Sequence, residues 1–145
     1  MITVKEILQE KGSEIVTVEE SQTVSDALRK MAEANIGAIL VLDSAADLAG
    51  IFSERDYARK VIDIGSAPLD APVREYMTTM VCYVHPENSV DECMALVTEK
   101  RCRHLPVMDD SKLAGIVSIG DLVKSSISEK EFLINQLTRY IQSVR

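Results

Sequence analysis

The chain has 145 residues, 46% of them hydrophobic and 27% charged, with a formal net charge of -7. This is one domain's length with ordinary globular composition, which excludes a disordered or fibrous chain. The acidic balance (Lys+Arg 16 against Asp+Glu 23) disfavours nucleic acid and membrane surfaces, both of which select a basic face. The longest apolar run, Ile36 to Leu42, is far short of the ~20 residues a bilayer span needs. The N-terminus shows no basic segment leading into an apolar one, so no export signal and a cytoplasmic location are expected. Cys82, Cys93 and Cys102 are odd in number and contain no C-x-x-C pair. They read as buried free thiols rather than a disulfide framework or a zinc site.

In chain order, a leader VKEIL at Val4–Leu8 precedes an alternating segment, Ile15–Val18, that reads as a strand. Thr23–Ala34 carries Val24, Ala27, Leu28 and Met31 at the spacing of an amphipathic helix. Thr23 stands at its N-cap position with Asp26 three residues on, a capping box. Strands Ala38–Leu42 and Leu48–Phe52 follow, joined by the polar turn Asp43–Asp47, and a helix is expected after Ser53. Asp63–Pro72, rich in Gly, Pro and Ala, reads as a linker. The pattern then starts again. A leader VREYM at Val73–Met77 precedes a strand at Val81–Val84 and a helix at Ser89–Lys100, with Ser89 and Glu92 as its capping box. Strands His104–Met108 and Leu113–Val117 flank the turn Asp109–Lys112. Ser128–Val144 is a separate helical signal, with Phe132, Leu133, Leu137, Tyr140 and Ile141 on one side, suited to a subunit interface or to packing on its own chain.

The two halves are copies. At a constant offset of 66 residues, Val18 matches Val84, Val24 matches Val90, Val41 matches Val107 and Asp43 matches Asp109. After a one-residue shortening of the loop, Leu48–Ile51 aligns with Leu113–Ile116, Ser53 with Ser118 and Asp56 with Asp121. The fold class expected is α/β: two β-α-β-β-α repeats and a C-terminal helix, divided as 1–62, a linker 63–72, 73–127 and 128–145. A half of ~60 residues buries too little surface alone, so the two should pack around a pseudo-twofold axis.

Chemistry concentrates where the third strand of each repeat gives way to a helix. Gly50–Asp56 and Gly115–Asp121 both read G-h-h-S-x-x-D. A serine there can cap the helix while its hydroxyl and the free N–H groups face a phosphate at the positive end of the dipole. The aspartate one turn on could accept from a ribose diol, although Ser-x-x-Asp is equally a purely structural capping box. The segment Arg101–Val107 breaks the symmetry, because its counterpart Asn35–Val41 contains no cation. Arg103 donates in pairs to phosphate, and His104 adds a donor when protonated. Pro106 removes one strand donor. Arg55 is a further phosphate candidate, with pairing to Glu54 or Asp56 as the alternative.

With GIFSERDYARK in the first copy and EKRCRHLPVMDDSKLAGIVSIGDLVK in the second, the chain resembles a tandem pair of cystathionine-β-synthase (CBS) domains over about Val4–Lys124. It is similar to small stand-alone bacterial proteins built from that pair. The resemblance implies a compact disc with two clefts for adenosine-containing ligands: AMP, ADP, ATP, S-adenosylmethionine or NAD(H). It further implies that Asp121 and Asp56 hold ribose hydroxyls and that Ser118 and Ser53 meet phosphate. Arg103, His104 and Arg55 would reach phosphates, and the backbone around Leu105 and Pro106 would line the adenine pocket. The first copy departs from this pattern, with Gly37 and Ala38 in place of Arg103 and His104 and Leu40 in place of the proline.

The function expected is a regulatory adenine-nucleotide sensor, an energy or redox sensor acting as a homodimer or on a protein partner. A ligand-independent interaction scaffold is the alternative. No nucleophile elbow, phosphate-binding G-x-x-x-x-G-K-[ST] loop or metal-ligand set is present, so neither an enzyme nor a metal requirement is expected.

Overall fold

The structure, a computed structural model, describes residues 1–79 and 81–143. It is mixed α/β, with two small sheets and five α-helices among the described residues. The chain forms two compact units. One comprises Glu14–Val81 and Asp110–Ala114. The other comprises Met1–Ser13, Cys82–Asp109 and the chain from Gly115 onward.

In the first of these, β1 (Thr17–Glu19), β2 (Ala38–Leu42) and β3 (Leu48–Ser53) form a sheet in that order. β1 runs parallel to β2, with Val18 opposite Val41, and β2 antiparallel to β3, with Ile39 opposite Phe52. The parallel pair is linked by α2 (Val24–Ala34), whose capping box closes through Thr23 and Asp26, the two residues the sequence marks for it. Val24, Ala27 and Met31 from α2 meet Val18, Ile39, Val41 and Phe52 from the sheet in a fully buried core. This is the apolar stripe of the helix laid on the inward face of the strands. Then α3 (Glu54–Ile64) ends at Gly65 in the left-handed conformation, two residues into the expected linker.

The other unit contains α1 (Val4–Lys11), α4 (Val90–Lys100), β4 (His104–Asp109), α5 (Ile119–Ser143) and, from Gly115 on, β5 (Lys112–Ser118). β4 and β5 are neighbours joined through Asp110 and Ser111, both at positive φ, as a two-residue hairpin turn demands. The strand expected at Val81–Val84 is reduced to one parallel bridge. Val84 N–H donates to the Pro106 carbonyl (3.0 Å) and its carbonyl accepts from Met108 N–H (2.8 Å). Pro106 carries no N–H with which to continue this parallel ladder on its far side, so the pairing stops at the single bridge, whereas Leu40 at the equivalent place in the first repeat belongs to a three-residue pairing.

The leaders are exchanged. The Ile2 carbonyl accepts from Val90 N–H (2.9 Å) and Val4 N–H donates to Asn88 (2.9 Å), which seats α1 on elements of the second repeat. The 3-10 turn Val73–Glu75 does the corresponding thing for the first repeat: Val24 N–H donates to Ala71 (2.9 Å) and Val73 N–H to Gln22 (2.8 Å).

A second difference concerns the C-terminal helix. Ser128–Val144 is not separate: α5 runs unbroken from Ile119 to Ser143, and Val144 lies outside the described residues. Between Asp121 and Ser143 neither Gly nor Pro interrupts the chain, and Ser125, Ser126 and Ser128 keep their N–H groups and tolerate helical φ, so nothing separates the two stretches. Only Leu122 and Ser126 of α5 are buried. Of the three free thiols only Cys93 is buried, whereas Cys82 and Cys102 are half-exposed. Burial pushes the Cys93 thiol up to about 11.

Candidate functional site

At the β5–α5 junction the capping box is complete. Ser118 N–H donates to Asp121 Oδ2 (2.9 Å), and Asp121 N–H donates to Ser118 Oγ (3.1 Å). The Ile119 N–H at the helix start donates to the carbonyl of Arg103 (2.8 Å), which fixes the segment before β4 against the N-terminus of α5. Ser118, Asp121, Arg103 and His104 are thereby brought together. Leu105 and Pro106 are buried behind them, so these two offer backbone rather than side chains. Arg103 is exposed and His104 half-buried. Arg101 ends α4 in the left-handed conformation and is exposed.

One residue of this cluster has no counterpart in the expected set. Lys11, the last residue of α1, donates from Nζ to Asp121 Oδ2 (2.6 Å) and to the Ile116 carbonyl (3.0 Å). It lies 110 residues from Asp121, beyond the matched leader VKEIL, and no local pattern signals it. Its arrival follows from the exchange of leaders.

The charges act on one another. Burial alone would raise the Asp121 carboxyl, but the Lys11 ammonium and the Ser118 N–H and hydroxyl outweigh it and hold it below the usual aspartate range. Asp121 is thus a fixed anion. Burial lowers the His104 imidazole against the pull of Asp121, with Arg103 and Lys11 adding to the lowering. At neutral pH His104 therefore presents a neutral ring, which accepts or donates one hydrogen bond and adds no charge. A groove of about 420 Å³ opens beside the pair, lined by Glu6, Glu10, Lys11, Asp121, Lys124 and Ser125 among others.

The first-repeat cluster stands in the other unit with the same cap and less charge. Ser53 N–H donates to Asp56 Oδ2 (3.2 Å), Asp56 N–H to Ser53 Oγ (3.1 Å), and Glu54 N–H to the Gly37 carbonyl (3.0 Å). Arg55 is the exposed second residue of α3. At each junction the first and third helical N–H groups are already bonded. What stays open to a ligand is the second N–H, the serine O–H and the outer carboxylate oxygen, Oδ1 in both cases.

Two copies of one α/β unit, each with a capped strand-to-helix junction, define a tandem-repeat module. The chain belongs to the CBS-domain family: the CBS domain model matches residues 4–63 and 73–128. The chain is 35% identical to the mitochondrial CBS domain-containing protein CBSX3 of Arabidopsis thaliana over 97% of this chain and 72% of that protein. It superposes on a putative signal-transduction protein with CBS domains from Burkholderia ambifaria with a TM-score of 0.81 at 52% identity, covering 87% of this chain and 94% of that one. It also matches CBSX2 in complex with AMP, with a TM-score of 0.70 at 26% identity, over 90% of this chain and 99% of that one. Among the described residues no helix is long and apolar enough to cross a membrane.

Proposed function

We propose that the protein is a regulatory module that binds an adenine nucleotide (AMP, ADP, ATP or NAD(H)) at the β5–α5 junction and signals through its conformation, as a homodimer or to a protein partner. The observation that carries this reading is the grouping of Ser118, Asp121, Lys11, Arg103 and His104 at one helix N-terminus, in a family where the similar CBSX2 is complexed with AMP. In this reading the outer oxygen of the Asp121 carboxylate accepts from the ribose diol. The Ser118 hydroxyl, Gly120 N–H and Arg103 meet the phosphate arm, and neutral His104 donates one hydrogen bond. The first-repeat set, Ser53, Arg55 and Asp56, is the weaker site because, among the described residues, its aspartate has no ion-pair partner corresponding to Lys11. No metal and no catalytic group is called for, and three unpaired thiols suit a reducing compartment such as the cytoplasm.

A ligand-independent scaffold is the competing reading, favoured by the fact that each serine–aspartate pair serves as a structural capping box for its own helix. A thermal-shift panel on nucleotide-stripped protein separates the two. A nucleotide at 100 times its Kd adds about 2.7 kcal/mol. At about 2–4 °C per kcal/mol for a chain of this size, that raises Tm by several degrees. A panel of AMP, ADP, ATP, NAD+, NADH and S-adenosylmethionine that leaves Tm unmoved refutes the sensor.

A further inference from the structure

A lysine in the last turn of a helix usually complements the dipole and keeps its ammonium in water. Lys11 does otherwise. Its ammonium donates to two acceptors of the β5–α5 junction, Asp121 Oδ2 (2.6 Å) and the Ile116 carbonyl (3.0 Å). Among the described ion pairs Lys11–Asp121 is the shortest and the most enclosed, with side chains 36% and 26% exposed. The others, Arg29 with Asp26 and the Met1 ammonium with Glu129, span 3.7 and 3.8 Å and each include an open partner.

The bond is not what seats α1. Val4 and Ile7 are buried, and Ile2, Val4 and Lys5 are tied by backbone hydrogen bonds to Val90, Asn88 and Pro86 (2.9 Å each). The far end closes on itself, Gly12 N–H donating back to the Leu8 carbonyl (2.9 Å). What Lys11 changes is the carboxylate. Ser118 N–H (2.9 Å) and Lys11 converge on Oδ2, which fixes the plane of the group and leaves Oδ1 as the oxygen offered to a ligand. At the first-repeat cap Asp56 Oδ2 accepts from Ser53 N–H (3.2 Å), with no ion pair among the described residues. The leaders account for the difference. Seven residues past Val73, the place in the second leader that matches Lys11, the sequence has Met80, which carries no charge. The exchange of leaders therefore brings a cation to one cap and has none to bring to the other. Without Lys11, Asp121 would be an enclosed anion that relaxes by turning toward water or taking up a proton, and either change removes a well-placed acceptor.

We propose that Lys11 is a positioning residue of the nucleotide site: acting through Asp121, it holds the carboxylate so that Oδ1 accepts from the ribose hydroxyls, and it thereby sets a preference for ribose over deoxyribose. This rests on the nucleotide reading above and adds to it a residue from the far end of the chain. Because Lys11 belongs to α1, ribose recognition and the docking of α1 on the second repeat favour one another.

The test is calorimetric titration of the nucleotide-stripped full chain with two matched pairs, AMP with 2′-deoxy-AMP and ATP with 2′-deoxy-ATP. Members of a pair carry the same charge, so the ratio of their Kd values reads the ribose hydroxyl and not the general field of the lysine. A hydroxyl donating to a carboxylate contributes about tenfold or more in Kd, and the wild type should show that preference in the pair that binds tighter. Lys11→Met should reduce it to less than about threefold while melting within a few degrees of wild type, since a half-exposed ion pair adds little stability. Lys11→Arg should restore most of the preference. On the Asp121→Ala background, Lys11→Met should change the ratio no further. If Lys11→Met keeps the full ribose preference, or Lys11→Arg loses it to the same extent, the positioning role is overturned and the nucleotide reading stands. A wild type that binds nucleotide without preferring ribose overturns the contact between Asp121 and the ribose, and the role of Lys11 with it. A wild type that binds neither pair overturns the nucleotide reading itself and everything built on it.

Discussion

Replacing Asp121 by alanine separates binding from folding, because the repeat supplies its own control. In the free protein Asp121→Ala removes the acceptor of Ser118 N–H (2.9 Å) and the partner of Lys11 (2.6 Å). Loss of the N-terminal carboxylate costs about 0.3–1 kcal/mol, and a half-exposed ion pair adds at most about 1 kcal/mol more. Asp56→Ala removes the same cap acceptor (3.2 Å) without a lysine, so it should cost slightly less. Binding should divide the two variants far more sharply. If Asp121 accepts from the ribose hydroxyls as a carboxylate, its loss costs about 1.5–3 kcal/mol of affinity. That is about 10- to 150-fold in Kd. Calorimetric titration with the nucleotide that gives the largest thermal shift reads this directly. Asp121→Ala should weaken the stronger site by that factor, and Asp56→Ala should leave it nearly unchanged. Equal Kd for wild type and Asp121→Ala would refute the assignment of this carboxylate, whatever the stability change.

Two further outcomes follow from the packing and the charges. Gly50 and Gly115 are repeat equivalents, but an added Cβ at Gly50 would lie 2.6 Å from the Thr78 carbonyl, whereas at Gly115 it would meet the tip of Leu8 at 2.8 Å. Because Thr78 is bonded to Ile51 and cannot swing aside, Gly50→Ala should cost about 1–3 kcal/mol. Gly115→Ala should be close to neutral once the stiffer unfolded chain is counted, so similar urea midpoints for the two would contradict the packing. For His104 the folded imidazole titrates below the ordinary value of 6.5, so the unfolded chain binds the extra proton first. Stability in that window therefore rises with pH, is complete above about 6.5, and is lost as pH falls toward the folded value. His104→Asn should flatten this part of the stability–pH curve, and an unchanged slope would show that His104 does not titrate there.

Much of the architecture is legible from the sequence because it is local. The capping boxes at Thr23, Ser53, Ser89 and Ser118 each need two residues three apart, and the strands need only alternation and a turn. The duplication then supplies the order of elements. What the chain hides is non-local. Lys11 reaches Asp121 because α1 packs on the second repeat, a contact 110 residues long in sequence that no periodicity encodes. Val81–Val84 alternates as well as Ile15–Val18 does, yet pairs at one residue only, since pairing depends on the neighbour strand rather than on the segment itself. The candidate residues stand in the sequence as G-h-h-S-x-x-D and R-x-R-H-L-P-V, but the lowered titration of His104 depends on burial and is not written in the letters.

The central claim is that an adenine nucleotide sits on the N-terminus of α5. Amide spectra of 15N-labelled, nucleotide-stripped protein titrated with AMP and with ATP test it most directly. The account predicts saturable shifts centred on Ser118, Gly120, Asp121 and Arg103, absent in Asp121→Ala, with smaller changes at Ser53 and Asp56. Saturating nucleotide that leaves those amides in place, or that perturbs a surface remote from both junctions, would contradict it.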